Sequence, residues 1–516
     1  MPILSFIVFA PLLGVIFLMM MPAEQPAPLR RAAFVFSLLP FILSLLMLLA
    51  FNPADPGYQM TAKAAWIPAF GISYSVGVDG ISLFLVLLTT FLMPLVILAG
   101  WGDIHKRVKE YMILMLLLET AMLGAFVALD LFLFYVFWEA MLVPMYFLIG
   151  VWGGERRIYA AIKMFLYTMV GSLLMLVAIL TLVWMHQQQK GALTFDLQQL
   201  YDFSVPLATQ RWLFAAFALA FAIKVPMFPL HTWLPDAHTE APTGGSVILA
   251  AVLLKMGTYG FLRFAIPLFP LAAHEALPII AVVATIGIVY GALVSMVQPD
   301  LKRLVAYSSV SHLGFVMLGM AALNSEGVQG SIYQMLNHGL STGALFLCVG
   351  VIYERRHTRL IKEFGGLWAQ LPVYASIFMV VMLSSVGLPG LNGFVGEFLI
   401  LLGAFGVHRA ATVVGVSGVI LGAVYLLWMY QRVMFGPLQN PANRVLKDLS
   451  AREILVFVPI LVMLFVMGVY PRPFLSRMEP SVNAYLGRLQ QKMAAADGST
   501  QLSAVSTQPE VGGGGR

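Results

Sequence analysis

Five ionisable residues stand well inside apolar runs: Glu119 in LLLETAM, Glu139 in YVFWEAML, Lys224 in FAIKVP, Lys255 in AVLLKMGTYG and Glu397 in NGFVGEFLI. A charge at the centre of a membrane helix costs roughly 2.5–3.5 kcal/mol on insertion scales, so five isolated charges would be prohibitive. They must face one another or face water. Burial disfavours the charged form of an amine and of a carboxylic acid alike, so both residue types can exchange protons near neutral pH when buried. Proton relay is the chemistry this pattern suits. Static ion pairs that hold a bundle together would use the same residue types, but Lys224 and Glu397 adjoin predicted helix breaks.

Two histidines form a second layer. His312 lies in AYSSVSHLGFVM and His338 in YQMLNHGLSTG, each beside Ser or Thr hydroxyls, and imidazole titrates close to physiological pH. A buried packing role would suit either ring as well. His231 and His238 follow the first break together with Asp236 and Glu240. Such a set could bind a metal, but a segment that closes a proton inlet or outlet is the expectation, with no metal. Phosphate-binding glycine loops, nucleophile motifs, haem motifs and CxxC pairs are all missing from the sequence, and the single cysteine, Cys348, cannot ligate a cluster alone. Redox cofactors are therefore not expected in this chain.

These residues need a membrane scaffold, and the composition provides one. Of 516 residues, 60% are hydrophobic and 10% charged, which a soluble surface does not tolerate. The expected class is an all-α polytopic membrane protein, with spans near 2–21, 32–51, 79–99, 111–129, 131–150, 161–185, 211–230, 244–268, 278–297, 302–322, 331–353, 371–407, 411–434 and 452–470. Eighteen lysines and arginines, from Arg30 to Arg452, fall in joints after odd-numbered spans, against five on the other side: Lys63, Lys190, Arg211, Arg263 and Arg409. The positive-inside rule then places the odd joints in the cytoplasm and both termini outside. This placement also accounts for the net charge of +6 without nucleic acid. The first apolar run, with no basic residue before it, reads as a retained span and resembles neither a signal nor an organelle transit peptide, so a bacterial inner membrane is expected. Residues 1–475 read as one transmembrane domain, and residues 476–516 as a polar, partly disordered tail.

Two spans should be broken. Pro226 and Pro229 remove backbone donors from the seventh, and Gly387-Leu-Pro389-Gly390 interrupts the twelfth. Interruptions five spans apart match inverted repeats of five helices, spans 4–8 (about 111–268) and spans 9–13 (about 278–434). Two ordinary proline kinks are the plainer alternative.

The segment Lys224–Phe264, KVPMFPLHTWLPDAHTEAPTGGSVILAAVLLKMGTYGFLRF, resembles the signature of the proton-conducting antiporter-like family of respiratory NADH-quinone oxidoreductase, at its subunit M or chain 4 branch. So do GVDGISL from Gly77, LDLFLFYVFWEAMLVPMYFLIG from Leu129, DLKRLVAYSSVSHLGF from Asp300, NHGLSTGALF from Asn337 and GLPGLNGFVGEF from Gly387. The resemblance reaches to about residue 470. It implies fourteen helices and a water-filled proton path in the membrane arm of complex I, with flavin and iron–sulfur clusters on partner subunits. Neighbouring antiporter-like subunits and lipids would be partners, and neither quinone nor NADH would bind this chain directly. The family's key glutamate falls on Glu139, its break lysine on Lys224, its central lysine on Lys255 and its terminal acid on Glu397, with His312 and His338 as relay histidines. Related antiporter subunits often carry lysine at that last position, so Glu397 favours subunit M. A subunit of a multi-subunit sodium/proton antiporter is the rival, and a purely structural membrane scaffold a third reading.

Overall fold

The computed structural model describes residues 3–505, with side chains as far as residue 495. Backbone amides buried away from water must be paired within the segment, and the chain meets this almost entirely with helices. They are α1 (Ile3–Met20), α2 (Pro26–Ala50), α3 (Leu83–Ala99), α4 (Val108–Val127), α5 (Leu131–Trp152), α6 (Arg157–Lys190), α7a (Leu207–Lys224) and α7b (Trp233–Glu240). After these come α8 (Thr243–Leu268), α9 (Pro270–Met296), α10 (Leu301–Ala321), α11 (Ser325–Arg356), α12a (Pro372–Val386), α12b (Asn392–Val407), α13 (Arg409–Met434), α14 (Ala451–Val469) and α15 (Arg472–Val505). Twelve of these segments are long and apolar enough to cross a membrane, and α3, α12a and α12b are shorter apolar helices.

Polar residues set the helix starts. Asp130, Asp300 and Asn324 accept hydrogen bonds from the free amides at the beginnings of α5, α10 and α11, and Ser450 with Glu453 forms a capping box at α14. The central helices α8 and α11 are buried on every side, whereas α2, α13 and α14 leave broad apolar faces open, as a lipid-facing rim requires. Small residues allow the inner helices to approach closely: a Cβ at Gly257 would stand 2.8 Å from the Phe221 carbonyl oxygen, and one at Gly314 2.7 Å from that of Ala284.

Both expected breaks are present. α7a stops at Lys224 and helix resumes only at Trp233, whose indole N–H donates to the Ile223 carbonyl that the break sets free, at 2.9 Å. α12a ends on Gly387, left-handed at φ +83°, before α12b begins at Asn392.

Two features depart from the sequence reading. The joint between α2 and α3 forms an antiparallel hairpin, β1 (Gln59–Ile67) with β2 (Ile72–Val78), the one sheet among the described residues. Strand β2 is buried along almost its whole length, whereas β1 lies largely exposed. The polar tail is helical through Val505: α15 lies across the hairpin end of the bundle, burying Met478, Val482, Leu486 and Leu489 at helical spacing. The remainder of the tail, residues 506–516, including the GGGGR end, lies outside the described residues.

Candidate proton-relay site

α8 places Lys255 at the centre of the molecule, fully buried. Its helix widens to π geometry over Leu249–Leu253, which frees the Ala250 carbonyl, and Lys255 Nζ donates to it at 2.6 Å. The same amine meets His338 Nδ1 of α11 at 2.6 Å. The His338 and His312 rings follow with centroids 5.9 Å apart, and neither Nε2 has a partner in the protein. His312 Nδ1 then meets Glu397 Oε1 of α12b at 3.0 Å. Four residues drawn from α8, α10, α11 and α12b thus stand in one file.

Glu397 is held by more than its histidine. Gln334 Nε2 donates to the same oxygen at 3.0 Å, and Asn337 Nδ2 to Gln334 Oε1 at 2.9 Å. Ser341 Oγ lies 2.7 Å from Ser384 Oγ, which donates to Asn392 Oδ1 at 2.5 Å. The sequence points to Ser341 only as a hydroxyl neighbour of His338, and the reading missed the amides Gln334, Asn337 and Asn392 and the Ser384 hydroxyl. Gln334, Asn337, His338 and Ser341 are spaced three, four and seven apart along α11, one polar stripe in an apolar helix, and that spacing was the available signal. The break also positions the acid: a Cβ at Gly387 would come within 3.0 Å of Glu397 Oε2.

At the break after α7a, Lys224 lies buried with Nζ 5.5 Å from the Trp138 ring centroid. Glu139, next to Trp138 on α5, faces Ser172 and Tyr135 and is within electrostatic range of Lys224. The two form no contact ion pair, and Glu139 Oε1 has no hydrogen-bond partner. Glu139 and Lys224 are therefore adjacent but apart.

His231 and His238 are buried without hydrogen-bond partners, His231 stacked on Phe228 and His238 on Phe346. Their neighbouring acids are occupied elsewhere, Asp236 with Lys163 at 2.7 Å and Glu240 with the Arg156 amide at 2.9 Å. Among the described residues no group of three or more His, Cys, Asp or Glu side chains is arranged to hold a metal. Beside α7b a cavity of about 460 Å³ opens between Asp103, Glu240, Lys302 and Arg359, and Lys302, placed among the exposed joint cations by sequence, is buried and donates to the Ala241 carbonyl. Glu119 is buried on α4 with neither carboxyl oxygen partnered.

Residues 128–422 match the family model for the transmembrane part of NADH:quinone oxidoreductase and Mrp antiporter proteins, and residues 8–125 match that for the amino terminus of NADH-ubiquinone oxidoreductase chain 4. NADH-quinone oxidoreductase subunit M of Rhodobacter capsulatus is 49% identical, over 95% of this chain and 99% of its own length. The chain belongs to the subunit M, or chain 4, family of NADH-quinone oxidoreductase. Its Arabidopsis thaliana relative, NADH-ubiquinone oxidoreductase chain 4, is 46% identical over 93% of this chain and 96% of its own length. A chain of respiratory complex I from Thermus thermophilus superposes with a TM-score of 0.85 at 34% identity, covering 95% of this chain and all of that one. The membrane-bound sulfane sulfur reductase, an archaeal respiratory complex, contains a chain of the same fold at 24% identity and a TM-score of 0.78. The family model for the central part also covers Mrp antiporter proteins, whereas the model matched at the amino terminus is that of NADH-ubiquinone oxidoreductase chain 4.

Proposed function

We propose that this chain is a proton-translocating membrane-arm subunit of respiratory NADH-quinone oxidoreductase, in which redox energy released on other subunits drives protons through its buried Lys, His and Glu residues. The carrying observation is the file Lys255–His338–His312–Glu397, with direct contacts of 2.6 Å and 3.0 Å at its two ends. Family membership supplies the redox partners. Flavin and iron–sulfur chemistry belongs to those partners, and this chain binds neither NADH nor quinone.

The mechanism is an electrostatic switch. When Glu139 and Lys224 close, the carboxylate stabilises the lysine proton; when they part, Lys224 loses that stabilisation and delivers the proton towards Lys255. The separated arrangement of the two side chains corresponds to the open member of the switch. From Lys255 the proton passes by the imidazoles to Glu397, which discharges it outside. α3 and the broken pair α12a/α12b complete fourteen spans, with α4–α8 and α9–α13 as inverted repeats. Both termini lie on the periplasmic side of a bacterial inner membrane, with neighbouring antiporter-like subunits as partners.

Purification under mild detergent tests the assignment. An affinity tag on this chain should recover flavin and iron–sulfur polypeptides with NADH-quinone reductase activity; recovery of a complex with neither cofactor would overturn the respiratory assignment.

A further inference from the structure

Sequence placed Arg263 among the few cations on the hairpin side, yet it is buried and so is its partner. Arg263 Nη2 donates to Asp79 Oδ1 at 2.6 Å, Nη1 to Tyr58 Oη at 2.9 Å and Nε to Tyr259 Oη at 3.1 Å. Asp79 is fixed in turn, since the same oxygen accepts the Ile81 and Ser82 amides at 3.1 and 3.0 Å. Tyr201 Oη donates to the Arg263 carbonyl at 2.5 Å.

The placement of this cluster points to a function. Lys255, Tyr259 and Arg263 follow one another at intervals of four on α8, so they share one face, and Arg263 stands about 12 Å along the helix from the relay lysine. A cavity of about 110 Å³, with room for several waters, opens beside Arg263 between Tyr58, Asp79, Tyr201, Ser481 and Arg488. Water there would come within two to three helical turns of Lys255. Across its mouth lies α15: Arg488 sits 5.1 Å from the Tyr201 ring centroid, and Lys492 donates to the Tyr201 and Pro267 carbonyls. Three cations, Arg263, Arg488 and Lys492, thus stand against two carboxylates, Asp79 beside Arg263 and Asp202 beside Lys492, for a local charge of 3 − 2 = +1 at neutral pH. A guanidinium keeps its proton in proteins and cannot relay one. Fixed positive charge at a narrow wet passage excludes protons.

We propose that Arg263, fixed by Asp79 and roofed by α15, is an electrostatic seal that stops protons outside from returning to Lys255 through the first repeat. This rests on the relay reading of Lys255 given above. Arg263 is a positioning and barrier residue, and a merely structural clamp of α8, α15 and the α3 turn would predict no effect on proton permeability in the assembled protein.

The test is passive proton conductance of sealed vesicles holding the assembled complex, measured without NADH as the decay of an imposed pH step under clamped membrane potential. A unit charge about 10 Å from the proton path at an effective dielectric near 20 corresponds to a change of roughly tenfold in rate. Arg263→Gln should therefore raise conductance about tenfold, and adding Lys255→Met should return it to the wild-type value. Wild-type tightness in assembled Arg263→Gln overturns the seal. Equal leak in the single and double variants leaves the barrier standing and removes Lys255 from the path, a failure of the relay reading alone. If Arg263→Gln does not assemble, the double variant Arg488→Gln/Lys492→Gln, at the rim of the cavity, replaces it. A rise in conductance there supports the seal, and wild-type tightness overturns it.

Discussion

In the proposed relay His338 is the link on which the file turns, because its ring is the side-chain partner that joins Lys255 of α8 to α11. Lys255 Nζ has two protein partners, the Ala250 carbonyl and His338 Nδ1, each at 2.6 Å. Replacing His338 with Leu leaves the amine with one. A hydrogen bond to a charged group contributes about 1.5–3 kcal/mol, which corresponds to roughly 10–150-fold in the rate of a step that depends on it. The more informative replacement is His338→Gln, which retains an amide able to accept from Lys255 but cannot take up and release a proton. If His338 only holds Lys255 in place, Gln should restore most of what Leu removes. If the imidazole carries the proton, both variants should lose NADH-driven proton uptake in sealed vesicles by at least about tenfold, with assembly confirmed by NADH reduction of a hydrophilic acceptor. Wild-type uptake in His338→Gln would refute the imidazole as carrier.

Glu139→Gln should abolish most pumping and slow quinone reduction while leaving NADH reduction of the hydrophilic acceptor near wild type; unchanged pumping would remove Glu139 from the switch. Cysteine tags near Arg157 and Arg356 should be labelled from the cytoplasm and a tag at Glu479 from the outside, and a cytoplasmic Glu479 would reverse the topology. Burial brings the Lys492 amine of α15 down to about 8 from its usual 10.5, with Asp202 opposing and Arg488 reinforcing the shift. Below pH 8 docking buries a charged amine, and between 8 and 10.5 the docked amine is neutral and that penalty fades. Proteolytic cleavage within α15 should therefore slow from pH 8 to 10 relative to Lys492→Met, and a pH-independent ratio of the two would contradict it.

The sequence made the scaffold legible because membrane helices announce themselves by length and hydropathy, and Pro226, Pro229, Gly387 and Pro389 mark breaks that backbone chemistry cannot avoid. It was less informative about contacts. Lys255 and His338 are 83 residues apart, and Arg263 and Asp79 are 184 apart, so neither pairing is visible locally. Arg263 and Lys302 counted as joint cations because charge statistics do not report burial. The π segments of α8, Leu249–Leu253 and Phe261–Ala265, leave no strong composition signal: the first is apolar like the helix around it, and the second departs from that only at Arg263. The polarity of residues 476–516 reads as a partly disordered tail and gives no hint of a docked helix, although Met478, Val482, Leu486 and Leu489 stand at helical spacing. The hairpin leaves a similar trace in the alternation of ISYSVGV, a signal that long apolar runs do not carry.

The central claim is that buried side chains here titrate in turn, and Lys224 tests it most directly. It ends α7a at the break, 5.5 Å from the Trp138 ring centroid and out of contact with Glu139. Lysine can give up its proton on separation from the acid, whereas arginine keeps its own and can serve only as a fixed cation. NADH-driven proton uptake should therefore be measured in sealed vesicles bearing assembled Lys224→Arg, with Lys224→Met alongside. The relay account predicts that uptake is lost in Met and strongly impaired in Arg; wild-type uptake in Lys224→Arg would contradict it and make Lys224 a static partner of Glu139.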